Sequence, residues 1–149
     1  MVAIPYLIMA GRHFPLPTGF RFVPSDEEIV LLYLSKKVQS LPMLPLPESS
    51  VMPEIQIAQF DPWNLPGDDH EDVKFFYTRE EPEMMQRGMR MKRVCVAGLW
   101  RERGEEPILS PYARDVIAMK RTYTFERTGG QRTANRPRAT WTMHEYRLV

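Results

Sequence analysis

Apolar residues recur at helical spacing in one stretch of this chain and at strand spacing in several others. Ile29, Val30, Leu32, Tyr33, Leu34 and Val38 follow one another with the period of a half-buried helix. Ahead of them, Ser25 can cap the first turn, and Glu28 stands three residues on as its capping-box partner. Asp26, Glu27 and Glu28 suit the positive end of a helix, and Lys36 and Lys37 suit the negative end. The pattern predicts one helix over residues 25–38. Strands are predicted over residues 73–78, 94–103, 122–127 and 139–148, and residues 16–22 read as extended and half-buried. A short helical turn is expected over residues 53–58, followed by a rigid aromatic loop from Phe60 to Pro66. Residues 79–92 show no clean period and are predicted to be loop, with Met84, Met85 and Met89 left without a role. Several strands after one helix imply an α+β domain: a twisted antiparallel sheet flanked by a few short helices.

Composition narrows the function classes. The 149 residues fit one globular domain, with 43% hydrophobic residues to build its core. Fourteen prolines, several between residues 42 and 53, cut the chain into short elements. The lone Cys95 rules out an internal disulfide and, lying between Val94 and Val96, reads as a small core residue. His13, His70 and His144 lack ligand spacing, so no metal site and no cofactor is expected. Residues 1–10 are mostly apolar, without a basic start and far short of a bilayer span. Residues 1–15 therefore read as an N-terminal extension of uncertain order, with no membrane partner expected. No serine–histidine–aspartate set or Gly-rich phosphate loop is present. His144 and Glu145, as neighbours in a strand, point to opposite faces. No catalytic residue, enzymatic activity or small-molecule substrate is expected.

Net charge is +1, yet the two halves of the chain differ. Residues 1–86 hold 6 basic and 13 acidic side chains, a balance of −7, while residues 87–149 hold 14 and 6, a balance of +8. Such asymmetry fits a polyanion-binding surface built by the second half, and equally a mixed surface after folding. Motifs have to decide between them.

Four blocks do so. Leu16-Pro17-Thr18-Gly19-Phe20-Arg21-Phe22, Pro24-Ser25-Asp26-Glu27-Glu28-Ile29 and Tyr33-Leu34 together resemble the opening motif of plant NAC domains. Phe60-Asp61-Pro62-Trp63-Asn64-Leu65-Pro66 resembles the second block of that family, and Phe75-Phe76 the third. Trp141-Thr142-Met143-His144-Glu145-Tyr146-Arg147-Leu148 is similar to the closing motif. The order and spacing agree from residue 16 to 148, which delimits a domain over residues 16–149. The resemblance implies a dimeric module that sets a strand into the major groove of double-stranded DNA and controls transcription in the nucleus. It also implies a dimer surface formed by Leu16, Pro17, Arg21 and Glu28, with Arg21 pairing across the two-fold axis with Glu28. Such a pair is used twice in a two-fold interface and can be bidentate.

The DNA-contacting segment is where the chain departs most from the family. Arg93 matches the family's arginine, and Trp100 and Gly104 keep their places in the W-K-A-T-G-x-D motif. Arg101, Glu102, Arg103 and Glu106 stand where lysine, alanine, threonine and aspartate are usual. Period two puts Arg101 and Arg103 on one side of a strand and Trp100 and Glu102 on the other. Arginine at these positions can strengthen phosphate or guanine contact, whereas the nearby carboxylates oppose it. Lys92, Lys120 and Arg121 are expected to add phosphate contacts, and Arg132, Arg136 and Arg138 lie in a longer connection. The resemblance thus implies contacts by Lys92, Arg93, Trp100, Arg101, Arg103, Lys120 and Arg121. A rival expectation is an interaction module that heterodimerises with NAC proteins but binds DNA weakly. The altered strand favours it, as does the absence of a regulatory region after Val149.

Overall fold

The computed structural model describes residues 6–10, 24–39, 52–66, 73–79, 84–86, 88–94, 98–127 and 141–149. Among them run seven strands: β1 (Tyr6–Ala10), β2 (Lys74–Tyr77), β3 (Met84–Gln86), β4 (Met89–Val94), β5 (Gly98–Leu109), β6 (Val116–Arg127) and β7 (Thr142–Leu148). They form one sheet in the order β2-β1-β7-β6-β5-β4-β3, with every neighbouring pair antiparallel. The α+β class expected from the sequence is the class observed.

The predicted helix is present and starts at its predicted cap. Ser25 Oγ accepts the backbone N–H of Glu28 at 3.2 Å, which satisfies one of the free donors of the first turn. The helical run has α-helical ends, Asp26–Glu28 and Ser35–Val38, and a π-helical middle, Ile29–Leu34. Its buried residues, Ile29, Val30 and Leu34, pack with Met52, Tyr77, Ile108, Ala118 and Tyr146. Side chains alternate between faces along each strand, so Ala118 and Tyr146 define the helix-covered face. The opposite face carries a second cluster of Ile57, Leu65, Phe76, Trp100, Tyr123 and Met143. The segment 52–66 covers it, held by two short 3₁₀ turns, Ile57–Gln59 and Pro62–Asn64.

Three strand expectations change. Residues 79–92 are not all loop, because β3 and β4 pair there with Gln86 opposite Met89. Between those partners Gly88 takes a positive φ of 78°, a conformation that glycine adopts readily. The alternation is short, four residues from Met89 to Lys92, and rests on methionine rather than on β-branched or aromatic residues, so it gave a weak strand signal. Strands β5 and β6 are longer than residues 94–103 and 122–127, and they meet in a hairpin between Leu109 and Val116. Residues 1–15, read as an extension, contribute β1, which pairs with both β2 and β7.

Candidate nucleic-acid interface

β5 is an interior strand held by β4 on one side and β6 on the other. Its burial alternates at the start: Gly98, Trp100 and Glu102 are buried, while Leu99 and Arg101 are half-buried and Arg103 is exposed. The register against β6 shifts between Glu102 and Gly104, and beyond it Glu105 stands opposite Arg121 and Glu106 opposite Lys120. The period-two expectation therefore holds at the decisive positions. Arg101 and Arg103 look one way, Trp100 and Glu102 the other.

Trp100 is fully buried, and its ring meets that of Phe125 edge-on at 5.2 Å. Its indole Nε1 has no hydrogen-bond partner among the described residues. The residue belongs to the core cluster behind β5, and its part in the site is to hold the strand.

Glu102 shares that inner face at 8% exposure. Its carboxylate accepts the backbone N–H and the guanidinium of Arg90, each at 3.1 Å. Arg90 also donates to Glu105 at 2.9 Å, and Glu105 accepts Arg121 Nε at 2.6 Å. Arg121 in turn reaches Glu145, which is fully buried, at 3.4 Å. The hydrogen bond from Arg121, assisted by the charge of Arg90, holds the Glu105 carboxyl below the usual carboxylate range despite burial. Burial works against the Arg121 charge, but its bond to Glu105 and the Glu145 charge outweigh that and hold the guanidinium above its ordinary value. Arg121 is thus 8% exposed inside an ion-pair network on the face opposite Arg101. The structure does not bring it to Arg101 and Arg103.

The outer face carries a different set. Glu126 Oε1 accepts Arg101 Nε at 2.7 Å and Arg103 Nη2 at 3.4 Å. Thr124 Oγ1 accepts Arg103 Nε at 2.6 Å. The Arg103 side chain is 50% exposed and that of Arg101 28%. The Glu126 carboxylate holds the Arg101 guanidinium above its ordinary pKa. Sequence reading missed Glu126. Its one signal was the strand period that puts it on the same face as Thr124.

Lys120 lies further along this face and is committed to the helix. Its Nζ pairs with Asp26 at 3.1 Å and Glu106 at 3.6 Å, and lies 5.8 Å from the centre of the Tyr146 ring. The Tyr146 hydroxyl donates to the other oxygen of Asp26, so β6, β7 and the first helical turn are tied at one point. Burial first, and then the Asp26 carboxylate, push the Tyr146 phenol up. Nearby, His144 Nδ1 lies 3.1 Å from Thr122 Oγ1. Burial, reinforced by the Lys120 charge, pushes its imidazole down.

The backbone of β4 places Lys92 opposite Trp100 and Arg93 opposite Leu99, beside the start of β5. Glu28 is exposed on the first helical turn. Leu16, Pro17 and Arg21, and likewise Arg132, Arg136 and Arg138, lie outside the described residues. Among the described residues no group of three or more His, Cys, Asp and Glu is placed to hold a metal ion.

Comparison with known proteins agrees with the motif reading. Residues 17–148 match a family model described as "No apical meristem (NAM) protein". The NAC domain-containing protein 41 of Arabidopsis thaliana is 40% identical over 134 residues, covering 90% of this chain and 46% of that protein. The NAC domain-containing protein 83 of the same plant is 36% identical, with 89% and 50% covered. The NAC transcription factor 25 of Arabidopsis thaliana is 34% identical over 141 residues, with 92% and 41% covered. The chain spans about half the length of the curated relatives it matches.

Proposed function

The chain belongs to the NAC family, and on that premise we propose that it binds double-stranded DNA as a dimer and regulates transcription in the nucleus. The proposed DNA-binding and dimerisation unit is residues 16–149, with β1 lent to its sheet from residues 1–15. The observation that carries the reading is the pair Arg101 and Arg103, side by side on the accessible face of β5. Two guanidiniums at this spacing suit phosphate oxygens or a guanine edge. Arg93, which stands opposite Leu99, is the proposed β4 neighbour of that pair; Lys92, opposite Trp100, takes a register position on the other face, and Lys120 is the proposed contact nearest the helix. Trp100 and Arg121 serve this reading from behind, by fixing the strand that carries the arginines. The relatives' names supply the rest: one of them is called a transcription factor.

Dimerisation is assigned to Leu16, Pro17, Arg21 and Glu28, with the exposed Glu28 carboxylate meeting Arg21 of a second copy. A homodimer or a heterodimer with another NAC protein is the expected assembly. The proposed activity is binding alone, with no catalytic group and no cofactor.

A second reading has its own observation. Glu126 pairs with both Arg101 and Arg103, and Glu105 and Glu106 follow them on the same strand. A module so self-neutralised could heterodimerise with NAC proteins while binding DNA weakly. Electrophoretic shift of randomised duplexes at two salt concentrations, run beside sedimentation, separates the two. The leading reading expects a shifted dimer whose affinity falls steeply with salt. A chain that sediments as a dimer yet shifts no duplex at low salt overturns it in favour of the second.

A further inference from the structure

A carboxylate stands between Arg101 and Arg103, and its geometry does more than cancel charge. Glu126 takes Arg101 by Nε, and Thr124 takes Arg103 by Nε. The two terminal amino groups of Arg101 make no hydrogen bond to another described residue. β6 therefore grips Arg101 from its stem and leaves its end to a ligand, whereas Arg103 is held by Nε and by one terminal amino group. Gly98 lets β6 come this close, because a Cβ there would overlap the backbone carbonyl of Glu126.

Two consequences of opposite sign follow for a DNA ligand. A guanidinium anchored at Nε has lost rotamer freedom before binding, and its planar fork can meet guanine O6 and N7 together. The same carboxylate lies close to where phosphates would pass, and like charge weakens every duplex regardless of sequence.

We propose that Glu126 is a positioning residue that confers guanine preference on Arg101 while lowering general affinity for DNA. This rests on the DNA-binding reading above. In the free protein the carboxylate orients Arg101. In the complex it stays in place behind the guanidinium, and the Nη groups read the base.

The test uses the full chain as wild type, Glu126→Ala, Glu126→Gln and Arg101→Ala. Duplexes selected from a random pool by the wild type are titrated beside counterparts whose contacted G·C pair is changed to A·T, at two salt concentrations. Wild type is expected to prefer the guanine duplex by about tenfold or more, the scale of one good bidentate contact. Glu126→Ala should reduce that preference to about twofold or less while binding the A·T duplex roughly threefold more tightly, because a like charge is gone. Glu126→Gln keeps an oxygen for Arg101 Nε, so it should hold most of the preference and show the same gain in general affinity. Arg101→Ala should lose the preference, and adding Glu126→Ala to it should take away no more. Thermal melts of each variant accompany the titrations.

Undiminished guanine preference in Glu126→Ala overturns the proposal, and so does an equal fall in affinity for both duplexes, the mark of mere structural support. A wild type that shifts DNA without guanine preference overturns this inference alone. A wild type that shifts no duplex at low salt overturns the DNA-binding reading and this inference with it. If Glu126→Ala melts early, Glu126→Gln decides, since loss of preference in that variant also overturns the proposal.

Discussion

Glu102 accepts the backbone N–H of Arg90 through one carboxylate oxygen and its guanidinium through the other, each at 3.1 Å. The acid that looks most harmful to DNA binding in the sequence is therefore bound to the neighbouring strand and turned away from Arg101. Glu102→Ala should cost about 1–3 kcal/mol of stability, since a charge-assisted bond is lost from a site nearly closed to water. Its effect on DNA affinity at low salt should stay within about twofold, because charge on the far face is screened. Chemical denaturation and duplex titration check the two halves. A large rise in affinity would show that Glu102 faces the ligand after all.

Arg121 gives a sharper contrast between stability and binding. Its loss takes one counter-charge from the fully buried Glu145, which keeps Arg147 at 3.7 Å. Arg121→Ala should destabilise the fold by about 3–5 kcal/mol, the usual range for breaking a buried pair from one side. Urea unfolding midpoints measure this. A variant with unchanged midpoint and weakened DNA binding would place Arg121 at the ligand instead.

Reversal of charge tests the proposed dimer. Arg21→Glu should dissociate the dimer by like-charge repulsion, and Glu28→Arg should do the same. The double variant Arg21→Glu/Glu28→Arg restores opposite charges and should recover much of the association. Sedimentation at one protein concentration reads all three. A dimer that persists in Arg21→Glu removes the pair from the interface.

His144 predicts a pH dependence on the acid side of neutrality. Burial and then Lys120 depress its pKa in the fold below the ordinary 6.5. The unfolded chain then binds the proton more tightly than the folded one. Stability is full above 6.5, declines as pH falls below it, and levels off once the folded imidazole is itself protonated. Glu105, held below the ordinary 4.5 by Arg121, adds a separate loss at lower pH as its carboxylate is protonated. His144→Asn should remove the first decline and leave the second, as followed by thermal melts across the range. Two unchanged limbs would assign the first to another group.

Local chemistry wrote some elements plainly into the chain. Ser25 and the acids after it mark the helix start, and the helix begins there. Strand β2 carries an aromatic run and β7 an alternating one, and both lie where their patterns put them, within a few residues. The β3–β4 hairpin was hidden, because its alternation runs only from Met89 to Lys92 without β-branched or aromatic residues, and only Gly88 marks its turn. Of the expected contact residues, Arg101 and Arg103 stand on the accessible face, whereas Trp100 and Arg121 are inside.

Sequence alone determined the family, the α+β class and the parity of β5, because each rests on order and period along one chain. Parity says that Trp100 and Glu102 share a face, but not which face is covered. That required knowing that segment 52–66 packs against Trp100, and that Arg90, twelve residues from Glu102, comes to lie beside it. Only the tertiary structure could bring Glu126 to Arg101, twenty-five residues away, since antiparallel register joins residues that no local pattern relates. What a charged side chain can do is set by the partner that neutralises it, and here the partners come from neighbouring strands and from the helix.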